Sequence, residues 1–168
     1  MTIATTTRPT HCNTRAILEL AGASPMSASS SDGSLLVEGI TQEALDDAMA
    51  IYNADLETYF WGPKKQARKD KIAKLSAEFI EGRYPSFRRE LFIALAEEAR
   101  NMGLTNRAAY INQMLTWVKT VVASILTLED QINAASTVEE ITSVDFDSTP
   151  FIATDPEITI RNTLAIED

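Results

Sequence analysis

The chain has one histidine and one cysteine, and they are neighbours, His11 and Cys12. These side chains are common metal ligands and nucleophiles, but two adjacent residues cannot enclose a metal ion. A Cys–His nucleophile pair also needs a rigid pocket, which a mobile terminal segment does not supply. We therefore predict no metal site, and we leave two interpretations of Cys12 open. We expect it to be exposed, and it is either an inert residue or half of an intermolecular disulfide, since an unpaired cysteine can link to a second chain.

Other patterns that could support catalysis are weak. The acidic pairs Asp46-Asp47, Glu97-Glu98 and Glu139-Glu140 are neighbours on predicted helices, so their carboxylates do not face each other. The six glycines are scattered and form no phosphate-binding loop. Catalysis requires placed acids, bases, nucleophiles or metals. We therefore expect no catalytic residues, no cofactor and no enzymatic activity.

The formal net charge of −9 over 168 residues disfavours nucleic acids and anionic membranes as partners. Nucleic-acid binding depends on Lys and Arg that neutralise phosphates, and anionic membranes also attract basic segments. The basic residues between Lys64 and Lys74 follow an acidic helix, which favours a solvated helix over a nucleic-acid patch. The longest apolar run, from Val121 to Leu128, is too short to span a bilayer. We expect no nucleic acid, no membrane insertion and, without a secretory signal at the N-terminus, synthesis in a cytoplasm.

Residues 1–34 are rich in Thr and Ser and contain few side chains that a core could bury. Such a segment cannot offset its ordering entropy alone, so we predict an extended arm. Three apolar residues within it form a candidate docking patch for a partner: Ile17, Leu18 and Leu20. The next residues, 35–37, fit a single edge strand. A first boundary is therefore predicted between residues 34 and 35.

From Thr41, a plausible N-cap, the apolar residues recur with helical spacing, and they fall on one face: Leu45, Ala48, Met49, Tyr52, Leu56 and Tyr59. Gly62-Pro63, Gly82 and Gly103 are predicted helix ends within a helical region spanning residues 35–134. The third helix begins near Ser86, and its apolar residues are predicted to lie along one side: Phe87, Leu91, Ala94, Leu95 and Met102. The predicted fold class is mainly α, a helical bundle with one long heptad-patterned helix, an extended N-terminal arm and a short mixed C-terminal segment.

The long helix, for which Thr105 is the predicted cap and which reaches to about Ala134, carries apolar residues at alternating spacings of three and four. They form a candidate seam: Ile111, Met114, Val118, Val121, Ile125, Leu128 and Ile132. Such a seam packs knobs into holes against another helix. The partner is either the preceding helices, in an intramolecular bundle, or copies of the same helix, in a parallel trimer. Since thirty residues need much cover, we expect a homo-oligomer.

Residues 135–168 form an acidic C-terminal segment. Thr137 and Glu140 have the spacing of a capping box, which predicts a short helix. Further on, residues 157–161 alternate as a strand would, although a helix beginning at Pro156 with Asp155 as its cap fits almost as well.

The last third of the chain has a characteristic order of motifs. The long helix, with Trp117 near its middle, runs into the capped turn at Thr137, and Asp145-Phe146-Asp147, Asp155-Pro156 and an apolar tail over 158–166 follow. This order resembles the C-terminal part of phage tail proteins of tail-fibre, fibre-assembly and baseplate-associated families. The resemblance covers less than a third of the chain and assigns no residue a chemical role.

The resemblance implies a structural component of a phage tail, either a tail fibre or a protein attached to the baseplate. Such a protein would assemble through its N-terminal arm and long helix, with other tail or baseplate proteins as partners and the virion as its location. Two alternatives remain open. One is a tail-fibre assembly chaperone that is absent from the mature particle, and the other is a bacterial helical adaptor protein.

Overall fold

A computed structural model describes residues 2–24, 28–31 and 33–157. The structure is mainly helical with one long helix, which confirms these two parts of the predicted fold class. The chain forms two compact units, Met1–Gln66 and Ala67–Asp168. Within the described residues the helices are α1 (Thr14–Leu20), α2 (Gln42–Ala54), α3 (Gly62–Arg83), α4 (Ser86–Asn101), α5 (Thr105–Ala134), α6 (Val138–Ser143) and α7 (Thr149–Ala153). The strands are β1 (Ile3–Thr7), β2 (Ala28–Ser31) and β3 (Ser34–Glu38).

The first unit combines a small antiparallel sheet with two helices. The strand order is β1-β3-β2, so β3 is the central strand rather than the predicted edge strand. Ala4 of β1 lies opposite Val37 of β3, and both side chains are fully buried. α2 packs against α1 and β1. Its inward face is the predicted one, with Leu45, Ala48, Met49 and Tyr52 buried.

The predicted N-terminal arm is wrong, because most of residues 2–24 are folded into this unit. β1 pairs with β3 over five residues, so its backbone groups are satisfied by a strand that lies about 30 residues away in sequence. Thr favours strands, which suits a segment too polar to form a core of its own. The predicted boundary between residues 34 and 35 is wrong as well, since the division between the two units follows Gln66.

The candidate docking patch on α1 is also wrong. Ile17 and Leu18 are buried in the first unit, and Leu20 is half-buried. Asn13 caps the helix by accepting a hydrogen bond from the backbone N–H of Ala16, and Ala21 ends it. These apolar side chains therefore contribute to the core of their own unit and are not presented to a partner.

The chain between α2 and α3 differs from the predicted stop at Gly62-Pro63. α2 begins after the predicted cap Thr41 but already ends at Ala54, and a π-helical turn spans Glu57–Trp61. α3 then begins at Gly62, with Pro63 in its first turn, where the missing N–H is tolerated. A Cβ atom on Gly62 would lie 2.7 Å from the backbone oxygen of Glu57, so this position requires glycine.

In the second unit the long helix α5 packs against α4. Residues from three helices, together with Tyr84 in the connection between α3 and α4, share one core cluster: Ile80, Tyr84, Phe92, Ala96, Ile111, Met114, Trp117 and Val121. Of the predicted seam, Ile111, Met114, Val121 and Ile132 are buried, whereas Val118, Ile125 and Leu128 are half-buried. The buried members of the seam are thus covered by the chain's own residues, as in the intramolecular alternative.

The predicted apolar side of α4 is exposed to solvent and is not the side that faces the core. Phe87, Leu91, Ala94, Leu95 and Met102 are all exposed, and Phe92, Ala96 and Ala99 face the core instead. α4 carries two apolar faces, and the one with two alanines allows the backbone of α5 to approach closely. Helical spacing alone does not distinguish these two faces, whereas the packing against α5 does.

Other local signals agree with the structure. Gly103 has a φ of +76°, and the N–H of Leu104 donates to the carbonyl of Ala99 at 2.8 Å, so glycine ends α4 as predicted. α5 has the predicted bounds, although Leu104 and not Thr105 occupies the cap position. The capping box of α6 is present, with Thr137 and Glu140 in the predicted roles. The predicted strand over residues 157–161 lies almost wholly outside the described residues.

Candidate functional site

The most extensive polar network in the second unit lies along residues 144–157, which we call the C-terminal strap. At its beginning, Arg68 of α3 donates hydrogen bonds to the carbonyls of Val144 (2.6 Å) and Thr142 (2.7 Å). The same guanidinium lies 3.5 Å from the carboxylate of Asp145. One arginine of the basic cluster therefore binds the acidic C-terminal segment.

Aromatic contacts hold the middle of the strap. The rings of Phe146 and Phe151 are stacked, with centroids 5.9 Å apart, and Phe146 lies 5.7 Å from Phe79 of α3. Trp117 of α5 donates from its indole N–H to the carbonyl of Phe151 at 2.9 Å. The indole of Trp117 is thereby buried with its polar atom satisfied.

The end of the strap is fixed by Asp155, which is only 1% exposed. One carboxylate oxygen accepts a hydrogen bond from the Tyr84 hydroxyl at 2.6 Å and another from the Glu157 backbone N–H at 3.0 Å. The second oxygen accepts from the guanidinium of Arg83 at 3.1 Å. The bond from Glu157 is the one expected if Asp155 caps a helix beginning at Pro156. Burial raises the pKa of Tyr84, and the hydrogen bond to Asp155 raises it further.

A second ion pair lies close to this network, at the last described residue. Arg88 of α4 binds both carboxylate oxygens of Glu157, at 2.8 and 3.2 Å, and this hydrogen bonding raises the pKa of Arg88. The guanidinium also lies over the rings of Phe92 (5.2 Å) and Tyr84 (5.7 Å). A fork-shaped, bidentate pair of this kind fixes orientation as well as distance.

This arrangement is suited to holding a segment rather than to proton transfer. A tyrosine whose pKa is raised stays protonated at neutral pH, and it donates to Asp155 instead of acting as a base. Both oxygens of Asp155 already accept hydrogen bonds, so this buried carboxylate is well satisfied. The strap is therefore fixed to the helices at its start, middle and end.

The structure brings together most of the residues on which the phage-tail resemblance depends. Trp117, Asp145, Phe146 and Asp155 all belong to the strap or hold it, and Ile141 of the preceding turn is buried. Sequence reasoning missed the residues that bind them on the helices: Arg68, Phe79, Arg83, Tyr84 and Arg88. Their signal was the excess of basic residues on α3 and at the start of α4, opposite an acidic C-terminal segment.

His11 and Cys12 lie in the ordered loop before α1, not in a mobile arm. The His11 ring lies 5.1 Å from the ring of Phe60 and 4.8 Å from that of Trp61. The hydroxyl of Tyr52 donates to the backbone carbonyl of His11 at 2.7 Å. Cys12 is a free thiol and half-buried, so the expectation of an exposed residue is wrong. Its intermolecular disulfide stays a prediction. Within the described residues, no three His, Cys, Asp or Glu side chains are grouped to hold a metal ion.

An apolar row on α4 is exposed to solvent, and we call it the α4 stripe. Its members are spaced as one helix face, and their exposed fractions are large: Phe87 70%, Leu91 51%, Leu95 38% and Met102 64%. Together these side chains expose on the order of 400 Å², comparable to the largest apolar patches of monomeric proteins. The stripe ends in a groove of about 320 Å³ between α4 and α5, lined by Leu95, Glu98, Ala99, Met102, Leu104, Arg107 and Ile111.

A second groove, of about 510 Å³, lies between α5 and the end of the strap. Five of its eight lining residues carry amides or hydroxyls: Asn112, Gln113, Thr116, Thr120 and Thr154, with Ala109, Trp117 and Pro156. The groove is wide and shallow, most of its exposed surface is apolar, and Trp117 already uses its indole N–H within the strap.

By length and composition α5 could cross a membrane, and it is the one helix among the described residues that meets this test. The core helices of soluble proteins also meet it, and α5 contributes Ile111, Met114 and Val121 to the core of the second unit. The expectation of no membrane insertion stays a prediction.

Comparison with known proteins adds no relative. The chain matches no protein-family model, and neither curated proteins nor solved structures give a significant match.

Proposed function

We propose that the chain is a structural component of a phage tail, either a tail fibre or a protein attached to the baseplate. The observation that carries this proposal is the strap. The residues of the phage-tail resemblance are joined there by direct contacts, including Trp117 to Phe151 and Asp155 to Tyr84. A motif order that corresponds to one folded element supports a resemblance of structure, beyond a likeness of composition.

The proposed role is mechanical and not catalytic. The strap ties the C-terminal segment to α3, α4 and α5, so that the second unit presents a fixed surface. The α4 stripe leaves apolar side chains on that surface, which suits docking in an assembly. The partners are other tail or baseplate proteins, and the location is the virion, after synthesis in the host cytoplasm.

Quantitative mass spectrometry of purified particles, released from cells that carry the gene, tests this role. We expect the chain in a fixed ratio to the known tail proteins, retained through density-gradient purification. A variant with Asp155→Ala and Glu157→Ala, which releases the end of the strap, should be incorporated at a reduced level. A matched variant at two exposed acids, Asp130→Ala and Glu139→Ala, should be incorporated normally. Absence of the wild-type chain from particles whose tails are complete would contradict the proposal.

The α4 stripe specifically favours a second candidate, a tail-fibre assembly chaperone. An exposed apolar helix face suits a protein that binds a fibre transiently and then leaves it. In that case the chain co-purifies with fibres from lysed cells but is missing from mature particles. The third candidate, a bacterial helical adaptor, predicts that the neighbouring genes encode no tail proteins.

A further inference from the structure

The strand β1 lies at one edge of the small sheet, because the strand order is β1-β3-β2. Directly after β1, the N–H of Arg8 donates to the carbonyl of Gly33 at 2.7 Å, so an even-numbered residue faces β3. Successive residues of an antiparallel strand turn their backbone groups to opposite edges. The backbone groups of Ile3, Thr5 and Thr7 therefore face the outer edge, where another strand could bind them.

The side chain of Gln42, the first residue of α2, occupies the middle of this outer edge. The backbone N–H of Thr5 donates to Oε1 of Gln42 at 3.0 Å, and Nε2 of Gln42 donates to the carbonyl of Thr5 at 3.0 Å. One residue of an added antiparallel strand would make the same two hydrogen bonds to Thr5. The carboxamide of Gln42 thus lies where the backbone of a further strand would bind.

The orientation of this carboxamide is fixed by α2 itself. Nε2 of Gln42 also donates to the carboxylate of Asp46, one turn later in the helix, at 2.8 Å. A carboxamide has both donor hydrogens on its nitrogen and accepts at its oxygen. Since Asp46 and the carbonyl of Thr5 both need a donor, the nitrogen must face them, and the oxygen is left for the N–H of Thr5. The position of Gln42 is fixed in turn by Thr41, which caps α2 by accepting from the N–H of Ala44 at 3.2 Å.

We propose that Gln42 is an edge guard, whose side chain occupies the bonding site of Thr5 and so prevents β1 from pairing with β1 of a second copy. Without it, two β1 strands pair antiparallel about a two-fold axis, with Thr5 opposite its counterpart and Ile3 opposite Thr7. Such an edge is complementary to itself, because both copies contribute the same groups. The side chains of these three residues are exposed and β-branched, which favours cross-strand pairs.

Sedimentation equilibrium of the full chain compares the wild type with Gln42→Ala. We expect the association constant of Gln42→Ala to be at least about tenfold higher, because the two hydrogen bonds at Thr5 become available to a second copy. Glu43→Ala is the matched control, since Glu43 is exposed in the same turn of α2, and it should associate as the wild type does. Circular dichroism establishes that each variant is folded. This test is independent of the phage-tail role, because it needs no particles.

A second substitution on β1 shows whether the gained association uses the strand edge. Thr5→Pro removes an N–H that faces the outer edge, so the hydrogen bonds between β1 and β3 are retained. The double variant Gln42→Ala, Thr5→Pro should therefore return to the association constant of the wild type. Association of Gln42→Ala no stronger than that of the wild type overturns the proposal, and so does a gain that persists with Thr5→Pro.

Hydrogen exchange measured by NMR tests the guard in the unmodified chain. Among the described residues, the outward N–H groups of Ile3 and Thr7 show no bond like the one from Thr5 to Gln42. In the wild type the amide of Thr5 should therefore exchange more slowly than those two. In dilute Gln42→Ala it should exchange at least about tenfold faster than in the wild type. A Thr5 amide that exchanges as fast as those of Ile3 and Thr7 in the wild type, or equally fast in both chains, contradicts the proposal.

Discussion

The helices α4 and α5 pack against each other, and each carries an apolar row that its sequence makes obvious. The row on α5 lies largely in the core, with Val121 fully buried, whereas the row on α4 faces solvent. The inward face of α4 is instead Phe92, Ala96 and Ala99. This difference shows that apolar spacing identifies the apolar faces of a helix but does not tell which face packs against the core. Which face packs against the neighbouring helix depends on side-chain size, because small residues let two backbones approach closely.

The largest expected effect on the free energy of unfolding is at Val121 of α5, and the neighbouring Val122 provides the comparison. Val121→Asp places a carboxylate at a position with no exposed surface and should cost more than about 3 kcal/mol, enough to unfold the second unit. Val122→Asp is the matched control, because Val122 is 47% exposed and should change stability by less than about 1 kcal/mol. Urea denaturation followed by circular dichroism measures both. Equal effects would mean that the helix is rotated relative to the structure described.

The next largest effect on stability concerns the hydrogen bonds of Asp155, which fix the end of the strap to Tyr84 and Arg83. Asp155→Ala leaves the Tyr84 hydroxyl without its acceptor and Arg83 without its partner, which should cost about 2–3 kcal/mol. Asp130→Ala removes an exposed carboxylate and should cost less than about 0.5 kcal/mol. The two urea midpoints decide this prediction, and similar midpoints would show that the strap contributes nothing to stability.

A smaller effect is the dependence of stability on alkaline pH. Burial and Asp155 raise the pKa of Tyr84 above its ordinary value of 10.0, so folding favours the protonated hydroxyl. The contribution is therefore complete below about pH 10 and is lost as the pH rises through the higher pKa of the folded state. Denaturation at several alkaline pH values should show this loss in the wild type and a smaller one in Tyr84→Phe. Identical pH profiles would contradict the raised pKa.

Sequence reasoning predicted the features that depend on neighbouring residues. Thr41, Gly103 and Thr137 mark helix ends through bonds that span three to five positions, and these signals are contained in the local sequence. The bounds of α5 and its buried face follow from a heptad pattern long enough to be unambiguous. The inward face of α4 was not predictable in this way, because two apolar faces compete on one helix.

The features that were missed depend on residues far apart in the chain. The polar segment around Ala4 is a strand because it pairs with the segment around Val37, and the local sequence near Ala4 does not indicate this pairing. In the strap, 71 positions separate Tyr84 from Asp155. The sequence motifs therefore marked one half of this site, the acidic and aromatic residues, and left their basic and phenolic partners on the helices unidentified.

In this structure α4 presents its apolar stripe to solvent, whereas α5 buries most of its seam. Thiol alkylation distinguishes the two helices, in a Cys12→Ser background with a single new cysteine, Leu91→Cys or Val121→Cys. At protein concentrations low enough to keep the chain monomeric, we expect Leu91→Cys to react as fast as in the denatured chain. Val121→Cys should react at least about a hundredfold more slowly until denaturant is added, since exposure of a core residue requires unfolding. Rapid alkylation of Val121→Cys with protection of Leu91→Cys would contradict this orientation of the two helices.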